Sequence, residues 1–158
     1  MMARHSSSPD PASSVPDAPD PTQCVSYRLR RAARLAARAF DAALKPTGLR
    51  NTQFTALSAL AIEGEQSIGS LSKILATDAT TLNRNLELLI RRGFVDNVAD
   101  DDGRVRNVRI NTQGRKKYEE ALPLWQEVQT HITAHIHQDK WTHMITELEH
   151  IEDACKTP

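Results

Sequence analysis

Apolar residues recur every three or four positions along most of this chain, which is the period of a helix with one buried face. The first apolar stripe begins near Thr22, includes Val25, Leu29 and Phe40, and stops before Pro46. Later stripes have the same period and are separated by short polar segments. The whole pattern predicts six helices, over residues 22–44, 51–62, 69–76, 78–92, 112–136 and 141–151.

The helix ends and the inward faces can also be predicted from residue type. Asn, Asp and Thr side chains accept hydrogen bonds from the first free N–H groups of a helix, and Gly is common just past a helix end. The predicted caps are Asn51 or Thr52 for the second helix, Thr77 or Asp78 for the fourth, and Asn111 or Thr112 for the fifth. The residues predicted to face the core are Phe54, Leu57, Leu60, Leu71, Ile74, Leu75, Leu82, Leu86, Leu89 and Ile90.

Only one convincing pair of β-prone runs is present, Phe94–Val98 and Val105–Ile110. The polar residues 99–104 between them include Asp and Gly, which suit a turn, so we predict a β-hairpin with a charged tip. A short extended segment, Gln66–Ile68, is predicted before the third helix. The expected fold class is therefore mainly α with a small β-hairpin.

The composition of the chain suggests one domain behind a tail. Residues 1–20 are rich in Ser, Pro, Ala and Asp, a composition that cannot form a packed core, so we expect a disordered N-terminal tail followed by one domain over 21–158. Cys24 and Cys155 lie far apart without CxxC spacing, which argues against a disulfide framework. Since no segment resembles a signal peptide or a membrane span, we expect a cytoplasmic protein without a membrane partner.

Charge is distributed unevenly, although the formal net charge is zero. Residues 69–116 hold nine Lys and Arg against six Asp and Glu, whereas residues 117–158 hold three against eight. A basic segment beside an acidic one indicates a local footprint for a polyanion. An ordinary solvated surface is the alternative.

The third and fourth helices are joined by a short turn and followed at once by the hairpin, the order found in a winged helix-turn-helix. The second helix of such a pair fits the major groove of DNA, and the wing reaches the backbone or the minor groove. Polar side chains lie off the apolar stripe of the fourth helix, and Arg side chains lie at the hairpin. The residues predicted to contact double-stranded DNA are Thr80, Thr81, Asn83, Arg84, Asn85, Arg104 and Arg106.

Several stretches of this part of the chain match a known pattern in order and spacing. They are residues 48–54 (GLRNTQF), 68–72 (IGSLS), 80–82 (TTL), 93–95 (GFV), 102–104 (DGR) and 108–114 (VRINTQG). Together they resemble the multiple-antibiotic-resistance regulator (MarR) family of bacterial repressors over residues 22–155. Gly103, where the family often has Arg, and Ile110-Asn111, where it usually has Leu-Thr, depart from the pattern.

The resemblance implies a winged-helix DNA-binding lobe at about 48–112 and a helical dimerisation region made of helices at about 22–45 and 112–155. It also implies a homodimer that represses transcription from a pseudopalindromic operator and is released by a small-molecule effector or an oxidant. The terminal helices support a dimer independently, because they carry more large apolar side chains than surface helices need.

Cys24 has two interpretations. It lies where the family's organic-hydroperoxide sensors have a reactive cysteine, and Arg28 one turn on would favour a thiolate. The sensors also use tyrosines near that thiolate, and here only Tyr27 is close, so a buried or partly buried thiol without a signalling role is the alternative. Tyr27, Arg28 and Arg31 are the candidate effector pocket, and a solvated or inter-subunit arginine strip is the ordinary interpretation.

Catalysis and metal binding are not indicated. The sequence has no Gly-rich phosphate loop, nucleophile elbow or HExxH motif, so we expect neither an enzyme nor a cofactor. His131 and His135 stand one helical turn apart with His137 nearby, but their surroundings favour polar positions at helix ends over a metal site. A winged-helix module that binds proteins instead of DNA is the alternative function.

Overall fold

The structure, a computed structural model, describes residues 20–98 and 106–156. It divides into two units, residues 1–35 and 36–158, and the boundary falls inside the first α-helix. The predicted tail lies almost entirely outside the described residues. The helices are α1 (Val25–Leu44), α2 (Asn51–Glu63), α3 (Ile68–Ile74), α4 (Ala79–Arg91), α5 (Thr112–Ala134) and α6 (Gln138–Lys156), and the strands are β1 (Gln66–Ser67), β2 (Val95–Val98) and β3 (Asn107–Ile110).

Helix α1 exposes nearly all of its residues. Only Leu44 at its C-terminal end is buried, whereas the side chains of Val25 and Leu35 are 57% and 53% exposed. A 3₁₀ helix, Pro21–Gln23, precedes α1, so α1 begins three residues later than predicted. The predicted apolar stripe is present, but over residues 25–35 it faces solvent in the single chain.

The core of the second unit is built mainly from leucines of α2 and α4. Most of the predicted inward residues are buried, and burial of apolar area is the main stabilising term of such a core. Ile74 is the exception, because it is 47% exposed while Leu75, the next residue, packs against the core. The largest of the fully buried core side chains are Leu44, Leu57, Leu60, Leu71, Leu82, Leu86, Leu89, Val95 and Val108.

The helix caps confirm two predictions and correct a third. Asp78 caps α4 and Asn111 caps α5 through their side chains. Helix α2, however, begins at Asn51, and its N-cap residue is Arg50. The predicted cap was wrong because a residue distant in sequence, Asp41, supplies the acceptor: its Oδ1 accepts from the Asn51 N–H at 2.7 Å.

The predicted hairpin is confirmed, but the sheet has a further strand. Strands β2 and β3 pair antiparallel with Val95 opposite Ile110. The extended segment at Gln66–Ser67 forms β1, which pairs antiparallel with β3 and gives the strand order β1-β3-β2. The sheet therefore ties the segment before α3 to the hairpin that follows α4.

Four aromatic side chains stack within the second unit. Trp125 of α5 lies with its ring centroid 5.7 Å from that of Phe40 and 5.7 Å from that of Phe54. Phe54 in turn lies 5.3 Å from Tyr118. Such offset contacts add to the burial energy of the rings, so this stack fixes α2 against the first half of α5. No helix in the described part of the chain has the length and apolar character needed to cross a membrane.

Candidate nucleic-acid interface

The start of α4 is held by a tight turn after α3. Ser67 caps α3 by accepting from the Ser70 N–H, and the chain turns at Ala76, whose φ is 45°. Asp78 then accepts from the Thr81 N–H at 2.8 Å. Two hydrogen bonds from Thr81 lower the pKa of Asp78, and the one from its side chain has a larger effect than the one from its backbone N–H. A charged carboxylate therefore caps the helix at neutral pH.

The N-terminal half of α4 presents polar side chains to solvent. Thr80, Thr81 and Arg84 are exposed, as predicted. Asn85 is only half-exposed: its Oδ1 accepts from the Thr52 hydroxyl and its Nδ2 donates to the Thr81 carbonyl, both at 3.3 Å. The bond to Thr52 positions α4 against the start of α2, whereas the bond to Thr81 lies within α4.

Asn83 differs from the expectation of a solvent-facing side chain. The residue is half-buried, and its Oδ1 is buried without a hydrogen-bond partner among the described residues. An orphaned buried acceptor is costly. Its position on the helix, one residue from the buried Leu82 and three from the buried Leu86, explains why only part of the side chain reaches solvent.

Thr52 also lies in this region, in a role that the sequence did not predict. The sequence predicts it as a helix cap, but its hydroxyl donates to Asn85, and both residues line a cavity of about 230 Å³ beside α4. Its hydroxyl lies 33 residues from Asn85 in sequence, so no local pattern could have indicated the contact. The cavity is lined by Asn51, Thr52, Thr55, Leu75, Ala76, Thr77, Thr81, Leu82 and Asn85.

The end of the β2–β3 pair next to residues 99–105 is tied by polar contacts across and beside the strands. Arg106 is exposed, and its Nε donates to Asn97 Oδ1 at 2.7 Å. Asn107 Nδ2 donates to Glu65 Oε1 at 3.1 Å, which links β3 to the segment before β1. Arg104 lies at the predicted tip of the hairpin, in residues 99–105, outside the described residues.

Basic side chains dominate the exposed charge between α3 and the start of α5. The described acidic residues of this stretch are Asp78, which caps α4, the exposed Glu87, and Asp96, which is half-buried beside Arg109. Within the described part of this stretch, exposed cations therefore outnumber acidic side chains, and such a surface can attract a polyanion. The exposed basic residues are Lys73, Arg84, Arg91, Arg92, Arg106, Arg109, Arg115 and Lys116.

The residues predicted to sense a signal lie in the first unit and are exposed. Arg31 Nη1 donates to Tyr27 Oη at 3.4 Å, and Arg28 Nε donates to the Thr22 carbonyl. The Cys24 thiol is also exposed in the single chain. The expectation of a buried or partly buried thiol at Cys24 is thus wrong for the isolated chain, because residues 25–35 of the helix that follows it are exposed on every side.

The histidines of α5 contact one another. The rings of His131 and His135 lie edge to face with centroids 4.7 Å apart, and His135 Nδ1 lies 2.7 Å from the His131 carbonyl oxygen. Within residues 20–98 and 106–156, no three His, Cys, Asp or Glu side chains are placed to hold a metal ion.

Comparisons with known proteins agree on the family. The family model for the MarR family matches residues 47–104, which include α2 and the helix-turn-helix. The transcriptional regulator MosR of M. tuberculosis, whose structure is known in complex with DNA, is 35% identical; the match covers 84% of this chain and 98% of that one with a TM-score of 0.74.

Two further relatives are more distant in sequence. A probable transcriptional regulator of Pseudomonas aeruginosa is 27% identical over 82% of this chain and 98% of that one, with a TM-score of 0.75. The HTH-type transcriptional regulator YwoH of Bacillus subtilis is 29% identical over 94 residues, which is 60% of this chain and 69% of that protein. These relatives are regulators of transcription and not enzymes, and the chain is a winged-helix transcriptional regulator that belongs to the MarR family.

Proposed function

We propose that this chain binds double-stranded DNA as a homodimer in the cytoplasm and represses transcription until a small molecule or an oxidant releases it. The observation that carries the proposal is the N-terminal half of α4, where Thr80, Thr81 and Arg84 are exposed on a helix whose start is firmly capped. The complex of MosR with DNA, at 35% identity, supports it.

The residue types on α4 suit recognition in the major groove. An α-helix fits this groove, and Arg can form two hydrogen bonds to O6 and N7 of guanine. Threonine hydroxyls can bond to base edges or phosphates. We therefore assign base recognition first to Arg84, and we assign phosphate or minor-groove contacts to Arg104 and Arg106 of the wing. Asn83 and Asn85 rank behind them because both are partly engaged or buried.

The homodimer is supported by apolar faces that the single chain leaves uncovered. Helix α1 exposes Val25, Leu29 and Leu35. None of residues 139–156 of α6 is buried, and Ile145 is 37% exposed. Long amphipathic helices normally bury their apolar faces against a partner. A homodimer that reads two half-sites needs its two α4 helices about one duplex turn apart, roughly 34–36 Å.

The signal that releases DNA has two chemical candidates. Cys24 and Cys155 are both exposed, and an accessible thiol can be oxidised. The Tyr27–Arg31 pair, together with Arg28, could instead bind an anionic effector. Either signal must favour the non-binding state by about 5.5 kcal/mol to move the bound fraction from about 99% to about 1%.

DNA binding is tested by fluorescence anisotropy with a labelled duplex from the region upstream of the chain's own gene and with a random duplex. Wild type should bind the upstream duplex more tightly, and its affinity should fall with salt because phosphate contacts release counterions. Arg84→Ala should lose about 1–3 kcal/mol of binding free energy on the upstream duplex if it pairs with guanine.

Lys156→Ala is the control, since Lys156 is an exposed cation at the far end of α6. It should bind as wild type does. If Arg84→Ala loses equal affinity for every duplex, Arg84 contacts phosphate and not a base. If wild type shows no salt-dependent binding at all, the DNA-binding proposal fails and a protein-interaction module becomes the better interpretation.

The homodimer is tested by light scattering on wild type and on Leu35→Glu. Wild type should have twice the mass of one chain, and Leu35→Glu should shift towards the monomer because a charge replaces an apolar contact. Ile62→Glu is the matched control: Ile62 is 73% exposed and lies on α2, outside the proposed interface. A Leu35→Glu protein that remains dimeric would exclude this part of α1 from the interface.

A further inference from the structure

The side chain of Asn111 joins the start of α5 to two other elements. Its Oδ1 accepts from the Gly114 N–H at 2.9 Å and so caps α5. Its Nδ2 donates to the Gly93 carbonyl at 3.1 Å, just past the end of α4, and to Asp96 Oδ1 of β2 at 2.8 Å. Both amide hydrogens of Nδ2 are therefore used, and each reaches an element other than the helix that Asn111 caps.

The backbones at this place are also in direct contact. The Asn111 N–H donates to the Phe94 carbonyl at 3.2 Å. A Cβ built on Gly114 would lie 2.0 Å from the same carbonyl oxygen. The first turn of α5 therefore packs directly against the backbone of Phe94, with no room for a side chain at residue 114. We refer to Gly93, Phe94, Asp96, Asn111 and Gly114 as the α4–α5 junction.

Asp96 connects the α4–α5 junction to the wing. It stands opposite Arg109 in the register of β2 and β3, and its Oδ2 lies 3.9 Å from Arg109 Nε. Since both of these side chains are about half-exposed, the ion pair adds little energy. The hydrogen bond from Asn111 to the charged carboxylate is the stronger of the two contacts.

We propose that Asn111 is a positioning residue for DNA binding, which holds the end of α4 and the base of the wing in a fixed orientation on α5. The inference rests on the proposed function, because it assumes that α4 and the wing contact DNA. A threonine at this position would have an oxygen to cap α5, but its side chain ends one atom short of the Asn111 Nδ2 and has only one hydroxyl hydrogen, so it would lose the bond to Asp96 and could not replace both donations.

The test compares Asn111→Thr, Asp96→Ala and the double variant with wild type, by anisotropy on the upstream duplex and by thermal melting. Asn111→Thr keeps the α5 cap and should remain a folded dimer, yet bind DNA about tenfold more weakly because α4 and the wing no longer share one orientation. Asp96→Ala should lose a similar factor. The double variant should be no weaker than the weaker single variant, since both substitutions break the same hydrogen bond.

Asp96→Asn is the matched control for charge. It removes the same negative charge as Asp96→Ala but keeps an oxygen that can accept from Asn111, so its affinity should recover to within about twofold of wild type. If the bond between Asn111 and Asp96 only stabilised the fold, its loss would lower the melting temperature and leave the DNA affinity of the folded protein unchanged.

Three results would overturn the inference. One is an Asn111→Thr protein that is folded and binds as tightly as wild type, and another is a double variant whose loss is the product of the two single losses. The third result applies if Asn111→Thr does not fold: in that case an Asp96→Ala protein that binds DNA as tightly as wild type would overturn the inference. A wild-type protein that binds no DNA instead rejects the proposed function together with this inference, so the two failures can be told apart.

Discussion

Adding one methyl group at Gly114 should destabilise the whole protein, although alanine is the better helix former. The new Cβ would lie 2.0 Å from the Phe94 carbonyl oxygen and 2.9 Å from Ile110 Cγ1. The first of these neighbours is backbone, so α5 must move away by about 1 Å, and the Asn111 N–H would lose its bond to Phe94.

The expected magnitude follows from three terms. Overpacking costs about 1–3 kcal/mol or more, loss of the backbone hydrogen bond costs about 1 kcal/mol, and the better helix propensity of alanine returns about 1 kcal/mol. Gly114→Ala should therefore lower the free energy of unfolding by about 1–3 kcal/mol, which corresponds to a melting temperature lower by about 2–12 °C.

Gly69→Ala is the matched control for Gly114→Ala. Gly69 also lies in a first helical turn, but its added Cβ would meet only Ser67 Oγ, at 4.0 Å. This variant should gain about 0.5–1 kcal/mol from the reduced entropy of the unfolded chain. Both variants are measured by circular dichroism melts and urea titration. Equal stability of Gly114→Ala and wild type would refute the tight contact at the α4–α5 junction.

Three further outcomes are expected. Hydrogen bonds from Thr81 lower the pKa of Asp78, so the α4 cap stabilises the fold above the ordinary aspartate pKa of about 3.9, and this stabilisation is lost as the pH falls through the lowered pKa. The melting temperature of wild type should therefore fall more at acid pH than that of Asp78→Asn, and an equal fall in both proteins would contradict this. Arg104→Ala should bind specific and random duplexes more weakly and reduce the salt slope by about one unit, whereas an unchanged slope removes Arg104 from the interface. Peroxide should release DNA from wild type but not from Cys24→Ser if the thiol is the sensor, and equal release from both favours a small-molecule effector.

Much of this fold could be predicted from the sequence because its signals are local. The helices follow from the three-and-four spacing of apolar residues, and the caps at Asp78 and Asn111 follow from side chains that bond N–H groups three residues away. The hairpin follows from a polar turn between two β-prone runs. The exposed face of α4, with Thr80 and Arg84, follows from the same periodicity, because it is the side opposite the leucines.

The tertiary structure decided the features that depend on residues far apart in the chain. Only the packed chain pairs β1 with β3 and brings Asp41 to the first N–H of α2. The contact of Thr52 with Asn85 and the two donations from the Asn111 amide are likewise set by how the helices pack. The spacing of apolar residues and the residue types specify which face of a helix or strand is buried. The hydrogen-bond partner of each polar atom depends instead on the tertiary structure, because packing determines which other helix or strand lies within bonding distance.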